Sequence, residues 1–171
     1  MESYFVRNWR GTYMFRKMRK SHMALSNDKA MEILKQGEYG IVSTIGEDGY
    51  PYGFPMSYIV LDGNIYFHCA MVGHKLANIN YNEKVSFTVV GRTELLPEEL
   101  DTNYESVIVF GRATKVEGEE KEKALLEIVN KYAKDFIEKG KVSIEKEKSI
   151  TTIIKISIEH MTGKYRWGDI R

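Results

Sequence analysis

YGIVSTIGEDGYPYGFPMSYIVLDGNIYFHCA, Tyr39 to Ala70, holds three extended runs in thirty-two residues. YGIVSTI alternates in polarity, and GEDG supplies a turn around Asp48–Gly49. YGFPMSYIVL follows as a second run, Asp62–Gly63 signals a hairpin, and NIYFHCA is the third. The gaps are too short for helical crossovers, so these strands are expected to pair antiparallel.

Downstream, KLANINYN predicts a short helix and KVSFTVVGR another strand. ELLPEELDTN reads as a polar connection. The longest strand candidate, ESVIVFGRATKVEG, contains Gly111 as an expected bulge or close-approach point. From Glu119 an amphipathic helix is signalled by Leu125, Ile128, Val129, Tyr132 and Phe136, with Glu119–Lys123 and Glu127–Lys131 at i,i+4. EKGKVSIEKEK reads as a solvated link, and SITTIIKISIEHMTG as the last strand. Upstream, Ser26 or Asn27 can cap a short helix carrying Ala30, Ile33 and Leu34 and ending at Gly37. The expectation is a mainly β (α+β) fold: six antiparallel strands in meander-like order, closing into a small split barrel with peripheral helices.

The chain of 171 residues fits one domain, preceded by an N-terminal arm over 1–25, so that the domain proper is 26–171. With 43% apolar and 29% charged residues it reads as an ordinary globular protein. Its 25 Lys plus Arg against 24 Asp plus Glu give no general drive toward nucleic acid or an anionic membrane. No apolar run approaches the ~20 residues that span a bilayer. The single cysteine, Cys69, excludes an internal disulfide framework and fits a reducing cytoplasm. The arm, RNWRGTYMFRKMRK, lacks the apolar core of a secretory signal. It reads as a segment lying over its own domain or a partner, disordered before Met14; Trp9, Tyr13 and Phe15 among basic residues also suit an interfacial membrane anchor.

Chemistry concentrates where the third run meets the next helix, at Gly73-His74-Lys75. A helix start offers free N–H groups and partial positive charge, glycine allows close approach, and Lys75 adds an ammonium. A phosphate site and a solvated turn both fit these residues. His68 and Cys69, adjacent on a strand, point to opposite faces, so HCAMVGH does not read as a metal site.

A resemblance bears on this choice. GIVSTIGEDGYPYGFPMSYIVLDGNIYFHCAMVGHKLANINYNEKVSFTVVG and YESVIVFGRATKVEG, with FRKMRK before and HMTGKYR after, resemble the flavin-binding split β-barrel proteins related to pyridoxamine 5′-phosphate oxidase. The branch they most resemble is that of the nitroimidazole-resistance (Nim) proteins. The likeness spans Met14 to Arg166, and its specific marks are YPYGFPMSY, IYFH-x-A-x-x-G-x-K and SVIVFGRA in that order. It implies a homodimer binding FMN in clefts at the subunit interface. It places Pro55, Met56, Ser57 and Tyr58 along the flavin ring through their backbone. His68, Cys69, Gly73, His74 and Lys75 fall at the phosphate, and Ser106 comes from the other subunit.

The implied function is an FMN-dependent oxidoreductase of small acceptors such as nitro compounds, drawing on a nicotinamide or another reductant. His68 is the expected proton donor or substrate contact. The parent oxidases carry Arg-Lys where this chain has His74-Lys75, which implies weaker or pH-sensitive phosphate binding, and their substrate-phosphate site is not recognisable here. A flavin sensor or carrier without turnover is an alternative, as is haem or deazaflavin on the same barrel, with His68 or His160 as axial ligand to haem.

Overall fold

The structure is a computed structural model that describes residues 5–7 and 13–167, with side chains from Phe15 onward. The remainder of the arm, Trp9 included, lies outside the described residues. Two short strands, β1 (Phe5–Arg7) and β2 (Tyr13–Arg16), pair antiparallel. Phe15 stacks on His160 at 4.5 Å and tilts against Phe110 at 5.5 Å, so the arm reaches the domain at that point.

Helix α1 (Asn27–Gln36) starts where Ser26 accepts a hydrogen bond from the Lys29 N–H, and it ends at Gly37. Then come β3 (Tyr39–Ile45), β4 (Pro51–Ser57), β5 (Ile59–Leu61), β6 (Asn64–Ala70), α2 (His74–Tyr81), β7 (Lys84–Leu96) and β8 (Asp101–Val116). Helices α3 (Gly118–Tyr132) and α4 (Ile137–Glu147) precede β9 (Thr151–Arg166). Seven strands form one antiparallel sheet in the order β4-β3-β7-β8-β9-β6-β5.

The sheet therefore has seven strands where six were expected, and the order is not a meander. The run Tyr52–Leu61 breaks at Tyr58: β4 pairs with β3, whereas β5 pairs with β6. Those are the two outer edges of the sheet. A flat seven-stranded sheet would hold its edges about 29 Å apart, at ~4.8 Å per strand. One residue spans at most about 7 Å between its neighbours' Cα atoms. The sheet must therefore curl until its edges meet, which gives a mainly β, split half-barrel with helices at its periphery.

Tyr58 sits in that seam and is fully buried. Its hydroxyl donates to the Leu34 carbonyl at 2.5 Å, and its ring meets Phe87 edge-on at 4.7 Å. Its backbone N–H donates to the Tyr132 hydroxyl at 2.9 Å, and its carbonyl accepts from Lys131 Nζ at 3.0 Å. Lys131, spaced for Glu127, turns inward and also donates to the Gly37 carbonyl. Burial pushes its ammonium below the ordinary lysine range.

The barrel interior is packed by Val42, Phe54, Ile65, Phe67, Phe87, Val89, Val107, Val109, Ile154 and Ile156. A second cluster outside the barrel joins Tyr66 and Ile153 to Ala124 and Leu125 of α3. Strands β6 and β9 are thus buried on both faces, which accounts for the uninterrupted Ile153–Ile154 and Ile65–Tyr66–Phe67.

Two other stretches depart from expectation. The polar connection Glu94–Asn103 continues the β7–β8 hairpin, turning only at Pro97–Glu99. The expected link EKGKVSIEKEK is mostly helix α4: Ile137, Gly140 and Ile144 recur at i, i+3 and i+7, and Gly140 lies against Val129. The charges on its other face hide that stripe.

Gly111 behaves as expected, for the β8–β9 register shifts at Phe110/Gly111. A Cβ there would collide with the Ser157 carbonyl oxygen, whereas one at Gly53 would make ordinary contacts with Ile41 and Ser43. Gly111→Ala is expected to destabilise the fold by about 1–3 kcal/mol, as for other forced overpacking, and Gly53→Ala to stay near wild type. Urea denaturation of the two variants checks this. Equal midpoints would remove the close approach.

Candidate functional site

The corner between β6 and α2 is held by a buried polar chain. Asn78 of α2 donates to Thr44 Oγ1 of β3 at 3.1 Å, and the Thr44 hydroxyl donates to the Tyr52 carbonyl at 3.2 Å. Both side chains are buried, so the pairing offsets a desolvation cost and fixes the helix against the barrel. Sequence reasoning passed over these residues because polar groups in a helix and a strand ordinarily read as surface. Only Thr44's place on the inward-facing side of an alternating strand hints at it.

At the head of α2, Gly73 adopts φ +135, and nothing lies within 4 Å of where a Cβ would stand. The backbone here is bare. The Leu76 and Ala77 N–H groups both donate to the Gly73 carbonyl. No side chain caps the helix and no acidic residue occupies its first turn. The N–H groups of His74 and Lys75 precede the helical ladder and have no partner within it.

Lys75 folds back across β4, its Nζ 3.5 Å from Met56 Sδ and 5.0 Å from the Phe54 ring centroid. It is half-buried, and among the described residues it makes no ion pair. His74 stacks on Tyr52 at 4.1 Å.

His68 and Cys69 point to opposite faces of β6, as strand alternation requires. Cys69 packs in the barrel interior, where burial pushes its thiol up, partly offset by the Lys75 charge. His68 faces outward toward α3 and α4. Partial desolvation of its imidazole, and then the Lys75 ammonium, hold its pKa below the ordinary histidine range, although part of the side chain remains exposed. Among the described residues no group of His, Cys, Asp or Glu is arranged to hold a metal ion.

His68, Gly73, His74, Lys75 and Met56 thus gather around one corner. Pro55 and Ser57 lie on the outer face of β4, exposed, while Met56 faces inward. Tyr58 does not join them: its side chain is core and its backbone groups are engaged by α3.

Ser106 is also remote from the corner within the chain. It pairs with Lys164 of β9, whereas Cys69 pairs with Thr152, twelve residues away along the same strand. That is on the order of 40 Å of extended chain. Ser106 shares the outer face of β8 with Ile108 and Phe110, which are exposed, as are Ile41, Ile45 and Val90 on neighbouring strands. Register aligns Pro55, Ile41, Thr88, Ile108 and Thr162 in one row across five strands.

Among the described residues no helix is long and apolar enough to cross a membrane. No curated protein matches the chain significantly. Among solved structures, a candidate 5-nitroimidazole antibiotic resistance protein from Bacteroides thetaiotaomicron superposes with TM-score 0.68 at 22% identity, covering 83% of this chain and 86% of its own. A conserved hypothetical protein from Mycobacterium tuberculosis gives TM-score 0.74 at 19% identity, covering 86% and 90%. An FAD-binding protein from Mesorhizobium loti gives 0.60 at 20%, covering 83% and 94%. At such identities the likeness is one of fold. The family profile described as pyridoxamine 5′-phosphate oxidase matches residues 26–165, almost the whole described domain, and the chain belongs to that family.

Proposed function

We propose that this chain is an FMN-dependent oxidoreductase, working as a homodimer in the cytoplasm and passing electrons from a nicotinamide or similar reductant to small acceptors such as nitro compounds. One observation carries the reading: the head of α2 presents uncapped N–H groups, a bare glycine and a half-buried lysine with no carboxylate partner among the described residues. The residues fit a phosphate monoester. Lys75 and the N–H groups of His74 and Lys75 would hold the dianion, and Gly73 would let it approach the backbone. When bound, FMN supplies hydride and single-electron transfer. The protein's own part is to position and to handle protons. His68, without a hydrogen-bond partner among the described residues, offers an N–H to an acceptor oxygen beside the corner.

The same chemistry argues for a second copy. Ser106 cannot reach the corner of its own chain, and it lies on an exposed outer face of small and apolar residues. A C2 partner seated on that face would bring its own Ser106 to the site. The FAD-binding relative supports a flavin. A sensor or carrier without turnover uses the same corner. A haem-binding protein from Mycobacterium smegmatis and a flavocytochrome from Azotobacter vinelandii share the fold, which makes haem a second reading. His68 would then be the axial ligand, since His160 stacks its ring against Phe15. The visible spectrum of the released cofactor separates flavin, deazaflavin and haem.

Lys75→Ala is expected to weaken FMN binding by about 30- to 1000-fold, the ~2–4 kcal/mol of a truncated charge-assisted contact. Riboflavin, which has no phosphate, should bind wild type and variant alike. Titration of cofactor-free protein with both ligands decides it: unchanged FMN affinity returns Gly73–Lys75 to an ordinary turn.

Light scattering at micromolar concentration should give twice the 19.8 kDa chain mass. Ile108→Glu, on the outer face, should give monomers that lose FMN. A flavin-loaded wild-type monomer is the result that sinks the dimer.

His68 binds its proton less readily folded than unfolded. Its contribution to stability is therefore complete above the ordinary histidine pKa of about 6.5 and is lost as pH falls from there through the lower folded-state value. NMR titration of the ring should place its midpoint below the ordinary range in wild type. In Lys75→Ala, with one of the two causes removed, the midpoint should rise. An unmoved midpoint would separate the two side chains electrostatically.

A further inference from the structure

The basic run of the arm, FRKMRK from Phe15 to Lys20, has no part in the corner at the head of α2. Its Arg16 and Met18 line a cavity of about 220 Å³ together with Ser106, Ile108, Thr162 and Lys164. Register fixes the floor of that cavity. Ser106 pairs with Lys164 and Ile108 with Thr162, so both hydroxyls and the lysine stand on one patch of the outer face. The volume is below the ~300 Å³ at which pockets for whole ligands begin, so the hollow suits one group of a larger molecule.

Its charge is one-sided. No carboxylate is among the lining residues. Glu105, next to Ser106, lies on the α1 side of β8, where its charge acts on Lys29, and Asp101 is engaged by Arg166. Lys164 makes no ion pair among the described residues. Its Nζ rests 5.1 Å from the Tyr104 ring centroid, and a ring face leaves the N–H donors available to an oxygen. Lys17, Arg19 and Lys20 follow on the arm, exposed and without an ion pair among the described residues. A guanidinium fork, an ammonium and two hydroxyls around one hollow match the several oxygens of a phosphate.

We infer that Arg16, Ser106, Thr162 and Lys164 form a second oxyanion site, which takes the phosphate or diphosphate group of a small molecule. Binding of that group stands independently of the flavin reading; the identity of the molecule that carries it rests on the proposed function. A C2 partner that brings Ser106 to the flavin corner brings Thr162 and Lys164 with it, since they are its register neighbours. The phosphate of FMN is already held there by Lys75 and the head of α2. The group at Lys164 therefore belongs to the other molecule of the reaction, and a nicotinamide dinucleotide carries a diphosphate. The consequence is selection of the donor by its diphosphate.

The probe is inorganic pyrophosphate, titrated into the full-length Lys75→Ala variant so that the α2 corner does not compete. Calorimetry and the Ser106 and Thr162 amide signals in NMR follow it. One saturable site that shifts those signals is expected. Adding Lys164→Ala or Arg16→Gln should weaken it by about tenfold or more, as for a lost hydrogen bond to a charged group. Lys164→Arg should retain it, and Lys134→Ala, an exposed lysine outside the cavity, should leave it unchanged. In FMN-loaded protein that keeps Lys75, Lys164→Ala should raise KM for NADH by about tenfold or more with kcat kept. Reduced nicotinamide riboside, which has no phosphate, should serve both proteins alike. If pyrophosphate binds while wild type takes up no FMN, the oxyanion site stands and the flavin reading falls. If pyrophosphate binds and KM for NADH does not move, the dinucleotide assignment falls. No binding, equal binding after Lys164→Ala, unmoved Ser106 and Thr162 signals, or attachment to phosphatidylglycerol vesicles without pyrophosphate binding would each overturn the inference.

Discussion

The structure depends on a covalent constraint: a single residue, Tyr58, joins strands that lie on opposite edges of a seven-stranded sheet. Nothing in the hydrogen-bond ladders alone requires the sheet to close. The short joint does, and it leaves a seam in which β4 and β5 do not pair. Backbone groups at such a seam would be costly if left bare. Here Tyr132 and Lys131 satisfy those of Tyr58, and the Tyr58 hydroxyl in turn satisfies Leu34 at the end of α1. One knot therefore ties together α1, the seam and α3. A half-buried lysine serves as the fastener because three diverging N–H donors suit carbonyls arriving from different elements.

The knot also explains the division of the surface. With α3 drawn onto β5, β6 and β9, one side of the barrel is covered by helices and buries Tyr66 and Ile153. The opposite side, the outer face of β4, β3, β7 and β8, keeps exposed isoleucine, valine and phenylalanine. The corner at the head of α2 is held to β3 and β4 by Asn78, Thr44 and Tyr52. It is a rigid place for a bare helix terminus, and rigidity is what positional chemistry requires.

Much of this was legible. Alternation gave β3 and the opposed directions of His68 and Cys69; Ser26 and Gly37 bounded α1; the glycine inside the longest strand marked its register shift. Motif resemblance pointed to Gly73, His74 and Lys75, which the structure brings together with His68 and Met56. What local pattern could not carry was long-range pairing. YGFPMSYIVL is as good one strand as two, and only the separate partners of β4 and β5 divide it. The meander expectation failed because β9 enters between β8 and β6, a choice made by burial on both faces and invisible to neighbouring residues. Helix α4 was missed because seven charges in eleven residues of EKGKVSIEKEK outweigh a three-residue apolar stripe. Asn78 and Thr44 were missed because satisfaction of a buried polar pair is a property of the folded neighbourhood.

The insertion of β9 has a consequence for how the chain matures. Strand β6, which carries His68 and leads into the α2 corner, has only the three-residue β5 beside it until β9 is present. The partners that complete it, Thr151 to Ile156, are made more than eighty residues later. During synthesis the β3–β4 and β7–β8 hairpins can form from local contacts, while β6 waits with one edge unpaired. Pairings of such long sequence separation are slow, and an open edge invites the wrong neighbour. The corner at the head of α2 is therefore among the last parts of the molecule to take shape.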